Sequence, residues 1–341
     1  MSRMNEWFKK ILREIHENFP MYFIFIMGWG LLHYEASNVN PAKYQEIGIP
    51  VSHFTWTVVV PVFWLCTAFF LRFSKLPSKE RWIKTAVAFA LIIGSMMSTW
   101  FNHREKILSS QRIVTIYEFM QFFWAVVLFI NAWATRGFQR ALTFFGVCLL
   151  YGVILENTGI IIGFFGESQY RYYLGISEHY TLPAPIATIL GWAIMFYVST
   201  WLAEYISRHF SVLNRSALGM AVFTSILATS LDFQIDPMAS LSGVWWKWDP
   251  RLPGWFLGVP FMNFLAWFVA FIPFTFTYYW YRNHRPELSE AQKNLQILIR
   301  IPWFLPAALT IGALIFLLVP EIHSGPAKMI SLEFLNKLLP Y

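Results

Sequence analysis

Five stretches of this chain decide what it can fold into. Phe54–Leu71, Ala184–Ala203, Phe256–Tyr281 and Ile301–Val319 hold no charged side chain, and Ile113–Ala134 holds only Glu118. Each is near the roughly 20 residues that a helix needs to cross hydrocarbon. Within lipid every backbone N–H and C=O must be satisfied internally, which leaves helices or closed barrels. The stretches lack the period-two alternation of barrel strands, so the expected fold is an all-α polytopic transmembrane bundle of about eight or nine spans. The composition agrees: 13% of the residues are charged, about half the share of a soluble domain.

Spans are expected near 20–34, 52–71, 84–101, 113–134, 141–165, 184–206, 216–231, 257–281 and 301–319. Counting Lys and Arg by connection gives 17 in the odd-numbered segments and 9 in the even ones. The positive-inside rule then places the N-terminus in the cytoplasm and the C-terminus outside. It also places the connections 166–183 and 232–256 on one face. Basic residues in the connections account for the net charge of +7, and nucleic acid is not an expected partner. No cleavable signal is expected, because the basic amphipathic segment Asn5–Asn18 leads into an apolar stretch without a small-x-small pattern. Cys66 and Cys148 fall inside expected spans and suggest neither a disulfide nor a zinc site.

Ionisable residues inside spans mark functional candidates. Glu118 reads most simply as a bond to a neighbouring helix, and Glu204 with Arg208, one turn apart, as a local ion pair. Glu156 is expected about ten residues before the outer connection, so about 15 Å along the helix axis. Gly152, Gly159 and Gly163 share its helical face. Such a row lets another helix approach or leaves a groove for a flat ligand, but it does not explain a carboxylate.

A second group is Leu231-Asp232-Phe233-Gln234-Ile235-Asp236-Pro237. Proline at 237 disfavours helix at Asp236, so the helix is expected to end there. The connection that follows concentrates Trp245, Trp246, Trp248 and Trp255 with Asp249 and Arg251. Gly166–Tyr173, with Glu167, Arg171 and three tyrosines, is its counterpart in 166–183. Acids and aromatics at one end of an apolar bundle suit an elongated greasy substrate with a reactive tip. A carboxyl group can protonate a carbon–carbon double bond, and aromatic faces can stabilise the resulting cation.

These residues carry a family resemblance. Glu156-Asn157-Thr158-Gly159, Phe165-Gly166, Tyr170-x-Tyr172, Leu174-Gly175 and Pro183-x-Pro185-Ile186 with Trp192 form its first half. Leu231-Asp232, Asp236-Pro237, Trp246-x-Trp248, Gly258-Val259-Pro260 and Asn263-Phe264-x-x-Trp267 complete it. In this order they resemble the membrane carotenoid-biosynthesis proteins, a family that includes bisanhydrobacterioruberin hydratase and the membrane carotenoid 1,2-hydratases. The resemblance covers the core at 111–285. The first 110 residues, with about three spans, match nothing recognisable, and 286–341 holds the final span and a tail.

The resemblance implies hydration of a terminal double bond of an acyclic carotenoid or related isoprenoid, with no redox cofactor and no metal. Glu156 or Asp232 would donate the proton and Asp236 would orient the attacking water. Asn157, Gly159, Tyr170, Tyr172, Trp246, Trp248, Asn263 and Trp267 would contact the substrate. The expected partners are that hydrophobic substrate and the lipid bilayer, which the resemblance implies is that of a bacterial or archaeal cell. Two other readings stay open. Asp232-x-x-x-Asp236 resembles the aspartate-rich motifs of isoprenoid transferases that hold magnesium and a diphosphate, and intramembrane acids also serve transporters or lipid-binding proteins.

Overall fold

The computed structural model describes residues 13–24, 110–161, 170–172, 184–210, 212–241, 246–248 and 259–318. The chain divides into two compact units, 1–38 with 50–107, and 39–49 with 108–341. In the first unit residues 13–24 are helical around a turn at Asn18, whose Nδ2 donates to Glu14 Oε1 at 2.9 Å. The expected spans near 52–71 and 84–101, most of 20–34, and Cys66 lie outside the described residues.

The second unit is a helical bundle. Among the described residues its helices are α1 (Ser110–Arg136), α2 (Phe138–Ile161), α3 (Ile186–Ser207), α4 (Ala217–Leu241), α5 (Phe261–His284) and α6 (Glu290–Leu318). A single 3-10 turn, Leu213–Arg215, precedes α4. Two three-residue strands, β1 (Tyr170–Tyr172) and β2 (Trp246–Trp248), join the α2–α3 and α4–α5 connections. Among the described residues, α2, α3, α5 and Glu290–Ile315 of α6 are long and apolar enough to cross a membrane. The chain is an integral membrane protein, and these four helices are its candidate spans among the described residues.

Local chemistry sets the boundaries. Gly137 separates α1 from α2 with φ at 87°, the left-handed region that glycine enters without a Cβ penalty. Its N–H closes α1 on the Trp133 carbonyl at 2.9 Å, and its own carbonyl accepts from Ala141 at 3.0 Å to open α2. Pro185 and Pro260 stand before α3 and α5 with φ of −61° and −65°, and their fixed φ feeds the first turn. Helix α6 begins well before the expected 301 because Ser289 and Gln292 form a capping box. The Gln292 N–H donates to Ser289 Oγ at 3.2 Å, and the Ser289 N–H donates to Gln292 Oε1 at 2.8 Å.

One expected boundary is overturned. Helix α4 does not stop at Asp236 but runs through Pro237 to Leu241. The proline forfeits one backbone bond, the one to the carbonyl of Phe233. Side-chain bonds at Asp232 and Asp236, described below, hold this turn in place.

Aromatic side chains at helical spacing build the core between α3 and α5. Phe196 stacks on Phe271 at 4.1 Å and lies 4.3 Å from Phe274, which faces Tyr151 of α2 at 5.8 Å. Pairs of this kind each add about 0.5–1.5 kcal/mol beyond the area they bury. Pro273 interrupts the α5 ladder, and the Tyr151 hydroxyl donates to the nearby Ala270 carbonyl at 3.0 Å. Helix α4 lies along α5 through a stripe of small buried residues, Ala221, Ser225 and Ala228, that continues into Asp232.

The end of the bundle away from the ribbon is tied by charge. Glu204 pairs with Arg136 of α1 at 2.9 Å, and not with Arg208, which is exposed. Tyr278 Oη donates to Glu204 at 2.7 Å and accepts from Arg136 and Arg140, each at 3.2 Å. The long-range pair wins because it brings three helices onto one carboxylate in a shielded position. Arg282 and Arg140 both reach Glu290 at the start of α6, at 2.9 and 3.0 Å.

Candidate functional site

The last third of α2 carries Glu156, which is 4% exposed. One turn earlier, Gly152 brings α3 close. A Cβ added at Gly152 would stand 2.8 Å from Trp192 Cβ and 3.4 Å from the Ile189 carbonyl. Of the two uses open to the glycine row, Gly152 serves helix approach. At this separation Trp192 Nε1–H donates to Glu156 Oε2 at 2.5 Å.

Asn157, the next residue, is turned to the backbone. Its Nδ2 donates to the Val153 carbonyl at 2.8 Å, and its Oδ1 accepts from Ala184 N–H at 3.2 Å. It thereby fixes the segment that enters α3. Gly159 is buried on the same helix, and Gly163 lies outside the described residues.

Asp232 and Asp236 sit one turn apart on α4, each 2% exposed. The carboxamide of Asn263, at the start of α5, bridges them. Its Nδ2 donates to Asp232 Oδ2 at 2.7 Å and to Asp236 Oδ2 at 2.6 Å. The amide nitrogen has two hydrogens, and this arrangement uses both. Beside it Phe233 stacks flat on Phe264 at 3.9 Å, which locks the same turns of α4 and α5.

The two halves of the site meet through stacked indoles. Trp192 lies on Trp267 with centroids 4.6 Å apart and planes 19° from parallel. Trp267 is one turn beyond Asn263, so both project from one side of α5. Glu156, bonded to Trp192, is thereby joined through the indole pair to the helix that carries Asn263. The carboxyl groups at 156, 232 and 236 therefore gather at one end of the bundle, with Asn263, Trp192 and Trp267 among them.

The aromatic connections meet at that end too. Strands β1 and β2 pair antiparallel, with Tyr170 opposite Trp248, Arg171 opposite Lys247 and Tyr172 opposite Trp246. The two connections that the charge count assigns to one face are thus hydrogen-bonded to each other. Trp248 is half-buried. The side chains of Tyr170, Tyr172, Trp246 and Glu118 lie outside the described residues, as do Glu167, Trp245, Asp249, Arg251 and Trp255.

Sequence reasoning missed two features. Trp192 enters the resemblance as a motif residue, with no signal that its indole N–H meets Glu156 across two helices. Asn263 is expected to contact substrate, but its carboxamide joins the two aspartates. The one cue was its place one turn ahead of Trp267 in the motif.

Comparison with known proteins bears on the same segment. No curated protein and no solved structure matches the chain. A family model described as carotenoid biosynthesis protein matches residues 116–326, which extends past the expected core end at 285 and takes in α6. That match runs over most of the chain and contains every residue of the carboxyl cluster, so the protein is an integral membrane member of the carotenoid biosynthesis protein family.

Proposed function

We propose that the protein is a hydratase that adds water to a terminal double bond of an acyclic carotenoid or related isoprenoid lipid by acid catalysis. The observation that carries this reading is the Asn263 bridge between Asp232 and Asp236. Two carboxyl groups on one amide donor can divide a single proton between a donor and an acceptor role. Glu156 or Asp232 delivers a proton to the less substituted carbon of the double bond, leaving a tertiary cation. The half-buried ring of Trp267 supplies electron density beside that cation. Water then adds its oxygen to the cation and loses a proton to Asp236. One water is consumed, the alcohol is formed, and no electrons change hands.

The ribbon end of the bundle takes the reactive tip, while the apolar remainder of the substrate lies among the lipid-facing helices. By the charge count this end faces outward from a prokaryotic cell membrane, opposite a cytoplasmic N-terminus.

The test is the origin of the hydroxyl oxygen. Purified protein in liposomes, given an acyclic carotenoid in oxygen-18 water, should return a tertiary alcohol carrying the label. Oxygen drawn from molecular oxygen would make the protein a hydroxylase. A product that requires magnesium and a prenyl diphosphate would make it a transferase.

A further inference from the structure

The indole of Trp192 is held at its N–H, at one ring face and at its backbone end. Its Nε1–H, the only polar group it has, donates to Glu156 at 2.5 Å, and both residues are buried. One ring face lies on Trp267 at 4.6 Å, with Phe196 and Phe271 at 6.0 and 5.9 Å. Its backbone end is set by Gly152, where a Cβ would come within 2.8 Å of Trp192 Cβ and 3.3 Å of Cγ. Real Cβ atoms do not approach so closely, so the missing methyl group fixes how near α3 comes to α2. Gly152 and Glu156 are one turn apart, and the same contact therefore sets both partners of the hydrogen bond. From Trp267 the chain of contacts passes one turn back along α5 to Asn263, and from there to Asp232 and Asp236.

A tryptophan used only to fill a core would need its area but not its N–H, and a phenylalanine would serve. Here the single donor is spent on the one carboxyl group of α2 that belongs to the cluster. We propose that Trp192 is the positioning residue of this centre: its N–H orients the Glu156 carboxyl group, and its stack on Trp267 keeps that group in register with the Asp232–Asn263–Asp236 bridge. The proposal rests on the hydratase reading for its kinetic consequence, but its geometric half does not.

Trp192→Phe tests it, since the ring and much of the stack remain while the donor is lost. A misplacement of about 1 Å can cost about 10²-fold in rate, so kcat should fall about 10- to 100-fold with KM within about twofold. Gly152→Ala should give the same split with Trp192 still present, because the added methyl displaces the indole. It also supplies the kinetic arm should Trp192→Phe not fold. A readout without substrate completes the test. The infrared carboxyl band that disappears in Glu156→Gln should shift in Trp192→Phe. Wild-type kcat in Trp192→Phe, or in Gly152→Ala if the first variant is not folded, overturns the proposal, as does an unshifted band. If instead the wild-type protein forms no alcohol from an acyclic carotenoid, the hydratase reading falls. The band shift would then still report the contact.

Discussion

At the scale of single residues, Glu156 takes its donor from Trp192 while Asp232 and Asp236 share Asn263, and that separates the predicted effects. Glu156→Gln and Asp232→Asn keep shape and hydrogen bonding but cannot deliver a proton. Each should lower hydration by about 10²- to 10⁴-fold, the usual worth of general acid–base assistance, while substrate is still retained on purification. A loss below tenfold in both, measured with purified protein, would remove them from the chemistry. Asn263→Ala acts differently, because it strips the shared donor from two buried carboxyl oxygens at once. An unsatisfied buried group costs about 1–3 kcal/mol, so this variant should lower the unfolding midpoint in detergent as well as the rate. Unchanged thermal stability would mean that the bridge is not holding α4 to α5. The acids were legible in the sequence because a carboxylate in an apolar run has few innocent explanations. Their partners were not, because a tryptophan or asparagine in a membrane helix has many.

Among the elements, the ribbon and the charged end make separable claims. Tyr170 and Trp248 are directly opposed, and opposed Cα atoms in an antiparallel pair lie about 4.5–5.5 Å apart, within disulfide range. The double variant Tyr170→Cys with Trp248→Cys should therefore crosslink under mild oxidation, seen as a mobility change reversed by reductant. No crosslink would undo the pairing of the two connections. At the other end, Glu204→Leu leaves Arg136 and Tyr278 facing an apolar side chain. Breaking a shielded pair in this way costs about 3–5 kcal/mol, and adding Arg136→Leu should restore part of it in a thermal unfolding series. Helix existence was readable from apolar runs, since period and length report the environment directly. The early start of α6 and the passage of α4 through Pro237 were not. The first depends on a capping box ahead of the apolar run, and the second on side chains of a different helix. Glu204 shows the same thing: its neighbour in sequence, Arg208, is not its partner in space.

For the molecule as a whole, the order of helices puts the carboxyl cluster and the arginine-rich network at opposite ends of one bundle. Impermeant labels on cysteines placed in 166–183 and in 232–256 should both react from the side opposite the N-terminus. Labelling from opposite faces would break the span order on which the site depends. The overall class was legible because lipid permits so few folds, whereas the meeting of α2, α3, α4 and α5 at one end depends on contacts that no local pattern encodes. The Gly152–Trp192 contact also limits how such a chain can change over generations. At this helix separation the two positions cannot both bear a Cβ, so position 152 is not free to drift alone. In an alignment of kindred chains, a side chain should appear at position 152 only where 192 has become glycine or α3 has moved outward. A descendant that made that exchange would also have given up the indole N–H that faces Glu156.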